Sequence, residues 1–374
     1  MPRPVVAIIG AGASHVSGRY EAGDRPPLTT QLFSRGQSRE LLKRYRLARA
    51  AGSVIDRDMK ADSAVAFEEA LLRLQNDGHD HHKQMALAVP PFLQALLLEY
   101  SETLQSESSR YGVLVDELLK LGTNVHFVSL NYDTLLDNEL GAFSPLRVLD
   151  DYINTPLHWT LIKPHGSVNW YVDQGSRFDP TAPSGDLSIR DEPIECVPAS
   201  TFDLGAIRGV VSPDPHGSST RYPAIALPDG PKDKLMLPAP HERHLRNMLA
   251  SSNEIDVLVL GYSALDTEIL ELIKLGAPNV RRMTVVNAGP ADALEVFDRI
   301  HDFGIEPIWA DTFDGSYEQW IDDGGLRAWV NEYDKRFTSV TKPDELRRRI
   351  AARAAEREAN RRRAERENIM TRQM

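Results

Sequence analysis

The residues best placed to do chemistry in this 374-residue chain lie in four short motifs. The motifs are GAGAS at 10–14, SLNYD at 129–133, KPHGS at 163–167 and LGYSALD at 260–266. Glycine amides can approach a phosphate closely, an amide and a carboxylate two residues apart can both face a ligand, and a histidine can act as a base near neutral pH. Together the motifs predict a nucleotide site.

Each motif follows a short apolar run that is typical of a buried parallel strand. The runs are 4–9, 125–129, 159–164 and 256–260, and the third includes the first two residues of KPHGS. An open α/β sheet forms its ligand crevice at the carboxyl ends of its strands, where loops from separate segments converge. The sequence therefore predicts an α/β fold with a Rossmann-like parallel sheet that brings the four motifs together.

Each motif also has a simpler structural interpretation. GAGAS lacks a third glycine at the dinucleotide-fingerprint spacing and could be only a tight strand-to-helix turn. Asn131 or Asp133 could be a helix N-cap, and one of them could both cap a helix and face the ligand. His165 could be a buried histidine bonded to backbone. Asp266 could cap the next helix, and Asn287, at the end of a further strand, could bind a ribose or cap a helix.

The order of the motifs resembles that of one protein family. GAGAS, NYD, HGS, GYS with a following Asp, and VVN at a strand end look like the sirtuin-like NAD-binding domain, and the resemblance covers approximately residues 4–335. More closely, the chain is similar to the sirtuin-like domains of bacterial anti-phage defence proteins. The resemblance implies an enzyme that hydrolyses NAD rather than one that deacylates proteins.

The resemblance also implies a role for each site residue, with NAD as the substrate. Asn131 would sit beside the nicotinamide ribose and orient the attacking water, Asp133 would hold the nicotinamide carboxamide, and His165 would be the base. The residues expected at the pyrophosphate are Gly10, Gly12, Ala13 and Ser14. Those expected at phosphate or at the adenosine ribose are Gly261, Ser263 and Asn287. Nicotinamide leaves as a neutral molecule, so the predicted site needs no metal.

Cysteine usage separates the chain from the deacylases of that family. Those enzymes carry a structural zinc module built from two pairs of cysteines, whereas this chain has only Cys196. Apolar residues at helical spacing instead predict a helical insertion over residues 30–120. The insertion could shape the pocket, form an oligomer contact, or both. The helical spacing is clear at 41–45, 67–74, 92–100 and 113–119.

Two segments differ in composition from the rest of the chain. One lies inside the predicted catalytic domain, 1–335, and the other follows that domain. Residues 171–235 are rich in proline and glycine and predict short strands and a flap near the HGS turn. Residues 341–374 predict a basic helical tail. From Asp344 onward, ten arginines and six acidic residues give a charge of +4, which leaves −15 for the remainder of the −11 total. The tail could be a solvated helix or an arm that binds a partner or nucleic acid.

Composition predicts a soluble, cytoplasmic protein. The chain is 41% hydrophobic, no apolar run approaches membrane-spanning length, the first strand follows the start without a signal peptide, and one cysteine gives no disulfide framework. A net charge of −11 argues against general nucleic-acid binding by the main body. Residues 79–82, His-Asp-His-His, could suggest a metal site, but adjacent ligands point apart and no distant partner is evident.

Two other classes of function are consistent with the motifs. A binding module could sense NAD or ADP-ribose without turnover, and a protein deacylase or ADP-ribosyltransferase would need a channel for its acceptor. An NAD glycohydrolase would yield nicotinamide and ADP-ribose, or a cyclic form, and would have to be restrained in the cell. The resemblance implies control by homo-oligomerisation or by a partner in trans, such as a HerA-type ATPase, an Argonaute-like protein or a phage component.

Overall fold

The strands that the structure describes form two sheets. The computed structural model describes residues 3–18, 25–27, 31–33, 36–61, 67–103, 109–173, 207–210, 221–225, 237–288 and 290–333. The larger sheet contains β1 (Val5–Ile9), β2 (Val125–Ser129), β3 (Trp159–Ile162), β7 (Ile255–Leu260), β8 (Val280–Asn287) and β9 (Trp309–Asp314). The smaller sheet contains β4 (Gly166–Asp173), β5 (Ile207–Val210) and β6 (Arg221–Ile225), in the order β5-β4-β6.

The order of the larger sheet is β3-β2-β1-β7-β8-β9. The chain therefore begins in the middle of the sheet, adds strands on one side and then crosses to the other side of β1. This is the doubly wound order of a Rossmann fold, whose switch point lies between the first strand and the strand that follows the crossover. The strands β1, β7, β8 and β9 pair in parallel, with Val5 opposite Asp256 and Ile9 opposite Leu260. The predicted α/β fold with a Rossmann-like sheet is confirmed.

The strands of this sheet are made from the apolar runs that predicted them. Every residue of β1, β2, β3 and β7 is buried. Burial on both faces is what a continuous apolar run permits, because helices cover both sides of a parallel sheet. The helices outside residues 30–120 are α1 (Ala11–His15), α8 (Leu135–Gly141), α9 (Ala239–Ser251), α10 (Thr267–Lys274), α11 (Pro290–Asp302), α12 (Tyr317–Asp322) and α13 (Gly325–Glu332).

Helices also occupy the region in which a helical insertion was predicted. They are α2 (Gly36–Leu41), α3 (Arg46–Ala61), α4 (Phe67–Asn76), α5 (Asp80–Leu87), α6 (Val89–Thr103) and α7 (Arg110–Leu119). Residues of α2 to α6 form one core, in which Phe33 stacks on Phe92 with ring centroids 5.5 Å apart and Tyr45 meets Phe92 edge-on at 6.0 Å. Val168 and Ile225 of the smaller sheet belong to the same core, so the insertion packs against the sheet that starts at the HGS turn.

The chain divides into two compact units. The first contains the described residues within Met1–Ala13, Glu117–His126 and Arg246–Met374, and the second those within Ser14–Asp116 and Phe127–Leu245. The division falls inside α1, so the glycines of GAGAS belong to the first unit and Ser14 to the second. The predicted single catalytic domain over residues 1–335 stays a prediction.

Parts of the two unusual segments lie outside the described residues. The predicted tail, 341–374, lies outside them entirely. Of the predicted flap, 171–235, the structure describes the end of β4 together with β5 and β6, which are short strands as the sequence predicted. In the part of the chain that the structure describes, no helix is long and apolar enough to cross a bilayer.

Candidate functional site

The turn after β1 packs directly against the loop after β7, in the first unit. Gly10 N–H donates to the Leu260 carbonyl at 2.9 Å, Gly12 N–H to the Gly261 carbonyl at 3.1 Å, and Gly261 N–H to the Val286 carbonyl at 2.9 Å. A Cβ atom on Gly10 would clash with the Gly261 carbonyl oxygen. Because β1 and β7 are neighbours, these loops mark the switch point, where doubly wound sheets bind their ligands.

Close backbone packing explains the glycines of GAGAS without a ligand. Gly261 has a φ of +59°, in the left-handed region, and a Cβ atom there would lie 2.8 Å from the carbonyl carbon of Gly12. The amides of Gly10, Gly12 and Ala13 all donate to carbonyls of the chain, and α1 begins at Ala11. The motif is therefore a tight strand-to-helix turn, and its contact with pyrophosphate stays a prediction.

The other site residues predicted in this unit lie in the loop after β7 and at the end of β8. Ser263 is exposed, and its carbonyl accepts a hydrogen bond from Arg299 Nη1 at 2.7 Å. Asp266 occupies the N-cap position of α10 but makes no capping hydrogen bond with its side chain. Asn287 is half-buried at the end of β8, opposite Asp314 of β9. Ser263 and Asn287 thus both follow strands at the carboxyl edge of the sheet.

Asn131 lies buried just after β2, in the second unit, and two hydroxyl groups hold its amide. Its Nδ2 donates to Ser14 Oγ at 2.7 Å and to Tyr111 Oη at 3.4 Å, and the two hydroxyls bond to each other at 2.9 Å. Asn131 is therefore not a helix cap. Tyr111 was not predicted as a site residue, yet its hydroxyl bonds to both Ser14 and Asn131, which were.

A buried arginine fixes the positions of Ser14 and Tyr111. Arg110 Nη1 donates to the carbonyls of Val16 and Gly18, at 3.0 and 2.7 Å, and so binds the backbone just beyond α1. Arg110 precedes Tyr111 at the start of α7, and it is 6% exposed. One residue thus ties the end of α1 to the start of α7, and the hydroxyls that hold Asn131 come from these two helices.

Asp133 precedes α8 and faces the buried polar cluster. Its Oδ1 accepts a hydrogen bond from the N–H of Leu135, the first residue of α8, at 3.0 Å, while the N-cap position itself is occupied by Thr134. Burial raises the pKa of the Asp133 carboxyl, and the nearby Lys163 ammonium and a hydrogen bond from Ser14 oppose that rise. Asp133 is therefore not the N-cap residue that the sequence allowed, and its contact with a ligand stays a prediction.

His165 lies in the turn between β3 and β4. It is half-buried, and its ring centroid is 6.2 Å from that of Tyr132, the residue after Asn131. The next residue, Gly166, has a φ of +78°, and a Cβ atom there would lie 2.9 Å from the carbonyl carbon of Ala224. The glycine of the HGS motif is therefore required by β6, and the fully buried histidine of the structural interpretation is not observed.

A fully buried lysine connects the NYD and HGS motifs. Lys163 Nζ donates to the carbonyl of Asp133 at 2.5 Å, to Ser167 Oγ at 2.7 Å and to Asp137 Oδ2 at 3.0 Å. Tyr152 Oη donates to the other carboxylate oxygen of Asp137 at 2.9 Å. This network was not predicted from the sequence. Its signal was a lysine directly after an apolar strand and an aspartate next to a pair of leucines, since buried charges need partners.

The network ends at a buried aromatic cluster around His241. The ring of His241 lies 5.5 Å from Trp170 and 6.1 Å from Tyr152, and its Nε2 donates to the Leu149 carbonyl at 2.8 Å. Burial lowers the pKa of His241 from 6.5 to about 4. The folded protein therefore holds this ring neutral at a pH where the unfolded chain begins to protonate it.

Acid should for this reason destabilise the fold through His241. As the pH falls from 6.5 towards 4, the unfolded state takes up a proton that the folded state does not, so stability falls by up to about 1.4 kcal/mol per pH unit from this group. We expect His241→Phe to lose less unfolding free energy than the wild type between pH 7 and pH 5 in urea titrations. Equal losses in the two proteins would contradict this assignment.

The histidines at 79–82 lie at the N-terminal end of α5. His79 precedes the first turn of α5, and His82 pairs with Asp77 at the surface. Within the described ranges, no three His, Cys, Asp or Glu side chains are grouped as metal ligands.

Comparison with known proteins gives likenesses only among solved structures. No family model and no curated protein matches the chain. A structure on sirtuin substrate affinity is 16% identical, with a TM-score of 0.37 and coverage of 86% of this chain and 93% of the other. Sir2 with an inhibitor, 2′-O-acetyl-ADP-ribose and a deacetylated p53 peptide is 16% identical, with a TM-score of 0.38 and coverage of 88% and 95%. A complex of a Sir2 homologue with NAD is 12% identical, with a TM-score of 0.37 and coverage of 88% and 91%.

These likenesses assign neither a family nor an activity to the chain, because their identities are 12–16% and their TM-scores 0.37–0.38. The fold rests on its own strand order and register. The observations that bear on function are the motifs and the side chains around them.

Removal of one hydroxyl tests the arrangement around Asn131. Tyr111→Phe keeps a ring that is 1% exposed but removes the bonds to Ser14 and Asn131. If Asn131 serves the reaction proposed below, we expect turnover to fall about tenfold, the value of one hydrogen bond of about 1.4 kcal/mol. Steady-state kinetics would measure this, with Tyr45→Phe in the helical core as the matched control. Unchanged turnover in Tyr111→Phe would show that the hydroxyl does not position Asn131.

Proposed function

We propose that the chain is an NAD glycohydrolase. It would use water to cleave NAD to nicotinamide and ADP-ribose, or form a cyclic product if a ribose hydroxyl or an adenine nitrogen replaces water. The observation that carries the proposal is the buried cluster at the end of β2, where Ser14 and Tyr111 hold the amide of Asn131 and Asp133 lies two residues away. A buried amide held by two hydroxyls suits the orientation of a water or a ribose.

The residue types match the chemistry of this cleavage. Positive charge develops on the ribose carbon as the bond to the nicotinamide nitrogen breaks, and nicotinamide departs as a neutral molecule without an acid. Asn131 would orient the water, and His165 would take the proton that the water loses as its oxygen bonds to the ribose carbon. Each turnover thus consumes NAD and water and yields nicotinamide, ADP-ribose and one proton. Asp133 would hold the nicotinamide carboxamide.

The remaining contacts to NAD are assigned to the switch point of the sheet and to Ser14. Gly10, Gly12 and Ala13, with Ser14, would hold the pyrophosphate. Gly261, Ser263 and Asn287 would contact phosphate or the adenosine ribose. The support for these roles is that the loops after β1, β7 and β8 leave the sheet at the edge where doubly wound folds bind nucleotides.

The biological role that we propose is a regulated, NAD-depleting effector of anti-phage defence in the bacterial cytoplasm. It rests on the order of the sequence motifs. Restraint of the activity would come from homo-oligomerisation or from a partner in trans such as a HerA-type ATPase. The body of the protein, with its excess of acidic residues, would not bind nucleic acid, which leaves only the basic tail for such a contact.

Product analysis tests the proposed reaction. The full chain is incubated with NAD, alone and together with a candidate partner, and the products are identified by mass spectrometry. Nicotinamide and ADP-ribose, or its cyclic form, are expected in equal amounts. NAD binding without release of nicotinamide under either condition would contradict the proposal and favour a sensor of NAD or ADP-ribose.

A further inference from the structure

Lys163 is the residue at which the two predicted catalytic loops meet. Its ammonium group has three N–H donors, and each one is used by a different segment of the second unit. One donates to the carbonyl of Asp133 in the NYD motif, one to Ser167 in the HGS motif, and one to Asp137 in α8. The side chain of Lys163 is 0% exposed, so water does not compete for these bonds.

The partners of Lys163 lie next to the residues that would act on NAD. Asp133 follows Asn131 by two positions, and Ser167 follows His165 by two positions. A shift of the ammonium group would therefore move both loops. Misplacement by about 1 Å can cost about 100-fold in rate, because the reacting groups leave their near-attack geometry.

Stability alone does not account for a buried lysine at this place. Removing two charges from water costs about as much as their attraction returns, so buried ion pairs can often be replaced by uncharged side chains of similar volume without loss. On the far side of the network, Tyr152 bonds to the carboxylate that balances the charge, and Asn169 bonds to Tyr152. Tyr152 Oη donates to Asp137 at 2.9 Å, and Asn169 Nδ2 donates to Tyr152 Oη at 3.1 Å.

We infer that Lys163 is a positioning residue that fixes the NYD loop and the HGS turn relative to each other, so that Asn131 and His165 act on the same substrate. The inference rests on the proposed NAD cleavage. Asp137 balances the charge of Lys163 and has no contact with substrate in this scheme. Lys163 itself donates no proton and touches no reacting atom.

A charge-balanced double variant separates positioning from stability. Lys163→Met leaves the Asp137 carboxylate buried without its cation, so both stability and turnover should fall. Lys163→Met combined with Asp137→Asn removes both charges and keeps an acceptor for Tyr152. We expect this double variant to regain most of the wild-type melting temperature, while its kcat stays about 100-fold below the wild type and KM changes little.

The result that overturns the inference is a joint recovery of melting temperature and kcat in the double variant, because the pair would then be only structural. If the double variant does not fold, Ser167→Ala removes one contact of Lys163 without unbalancing the charge. It should lower kcat about tenfold with little loss of stability, and an unchanged kcat would also overturn the inference. The matched control is Lys43→Met, which removes an exposed lysine paired with Glu40 on the same unit.

The same series keeps this inference separate from the proposed function. All variants are assayed as full chains, under the conditions in which the wild type releases nicotinamide from NAD. If no such condition exists, and the wild type binds NAD but releases no nicotinamide either alone or with a candidate partner, the proposed function is refuted. A wild type that turns over NAD, together with a double variant of equal kcat, refutes only the role of Lys163.

Discussion

Asn131→Ala should lower the rate of nicotinamide release by about 100-fold or more, with the larger effect on kcat than on KM. The side chain is 6% exposed, and its amide is fixed by Ser14 and Tyr111, so its truncation leaves the attacking water without an orienting group. Initial rates measured over a range of NAD concentrations would separate the two parameters. The matched control is Asn154→Ala, which truncates an exposed asparagine of the same unit.

His165→Ala should act on the same step, since loss of a general base typically costs roughly 10²–10⁴-fold in rate. His165 is half-buried, so this change should leave the fold intact, and His81→Ala serves as the control at an exposed histidine. Circular dichroism and thermal melting would confirm that both variants are folded. Nicotinamide release that survives in folded Asn131→Ala and His165→Ala proteins would remove the site assignment.

A large loss of stability is expected from Gly261→Ala. A non-glycine residue at a φ of +59° costs about 1–2 kcal/mol, and the new methyl group would lie 2.8 Å from the carbonyl carbon of Gly12, which adds about 1–3 kcal/mol of overpacking. The free energy of unfolding should therefore fall by about 2–5 kcal/mol in urea titrations. The strain arises where the turn after β1 and the loop after β7 come together.

Gly122→Ala isolates the steric part of that cost. Gly122 has nearly the same φ, +62°, belongs to the same unit, and has nothing within 4 Å of the added methyl group. It should lose only the backbone term of about 1–2 kcal/mol. If Gly261→Ala costs no more than Gly122→Ala, the two loops do not pack as closely as the structure indicates.

The sheet could be predicted from the sequence because its signals are local. Four of its strands are short apolar runs that stop at a polar or glycine-containing motif, as at Ile9 and Leu260. Burial on both faces makes such runs continuous rather than alternating. The helical insertion was predicted for the same reason, although α2 ends at Leu41 and leaves Tyr45 beyond it. Helices α3 and α5 were not predicted individually, since α3 buries small alanines such as Ala48 and α5 is short and polar.

The contacts that organise the candidate site could not be predicted in the same way. Whether the glycines of GAGAS serve a phosphate or a backbone contact depends on Gly261, which is distant in sequence from Gly10 and Gly12. Tyr111 lies just outside the helical spacing at 113–119, and its partners Ser14 and Asn131 come from other segments, so nothing local marked it as a site residue. Sequence spacing reports the face on which a residue lies but not which distant group it meets.

A buried ion pair at Lys163 could have been anticipated in part from the sequence. A lysine at the end of a buried strand and an aspartate that follows two leucines in α8 both imply that a counter-charge lies nearby. The sequence contains many acidic residues, so the pairing of Lys163 with Asp137, at 3.0 Å, required the fold. The motif KPHGS was thus interpreted through its histidine, whereas its lysine makes the contacts that join the motif to NYD.

The most direct test of NAD hydrolysis is the reaction of the purified chain with NAD in water enriched in oxygen-18. We expect nicotinamide to be released and ADP-ribose to gain one heavy oxygen at the ribose carbon, or a cyclic product to form with none. Both products should disappear in Asn131→Ala and His165→Ala. Intact NAD after prolonged incubation with a chain that binds it, with and without a candidate partner, would contradict the proposed hydrolysis.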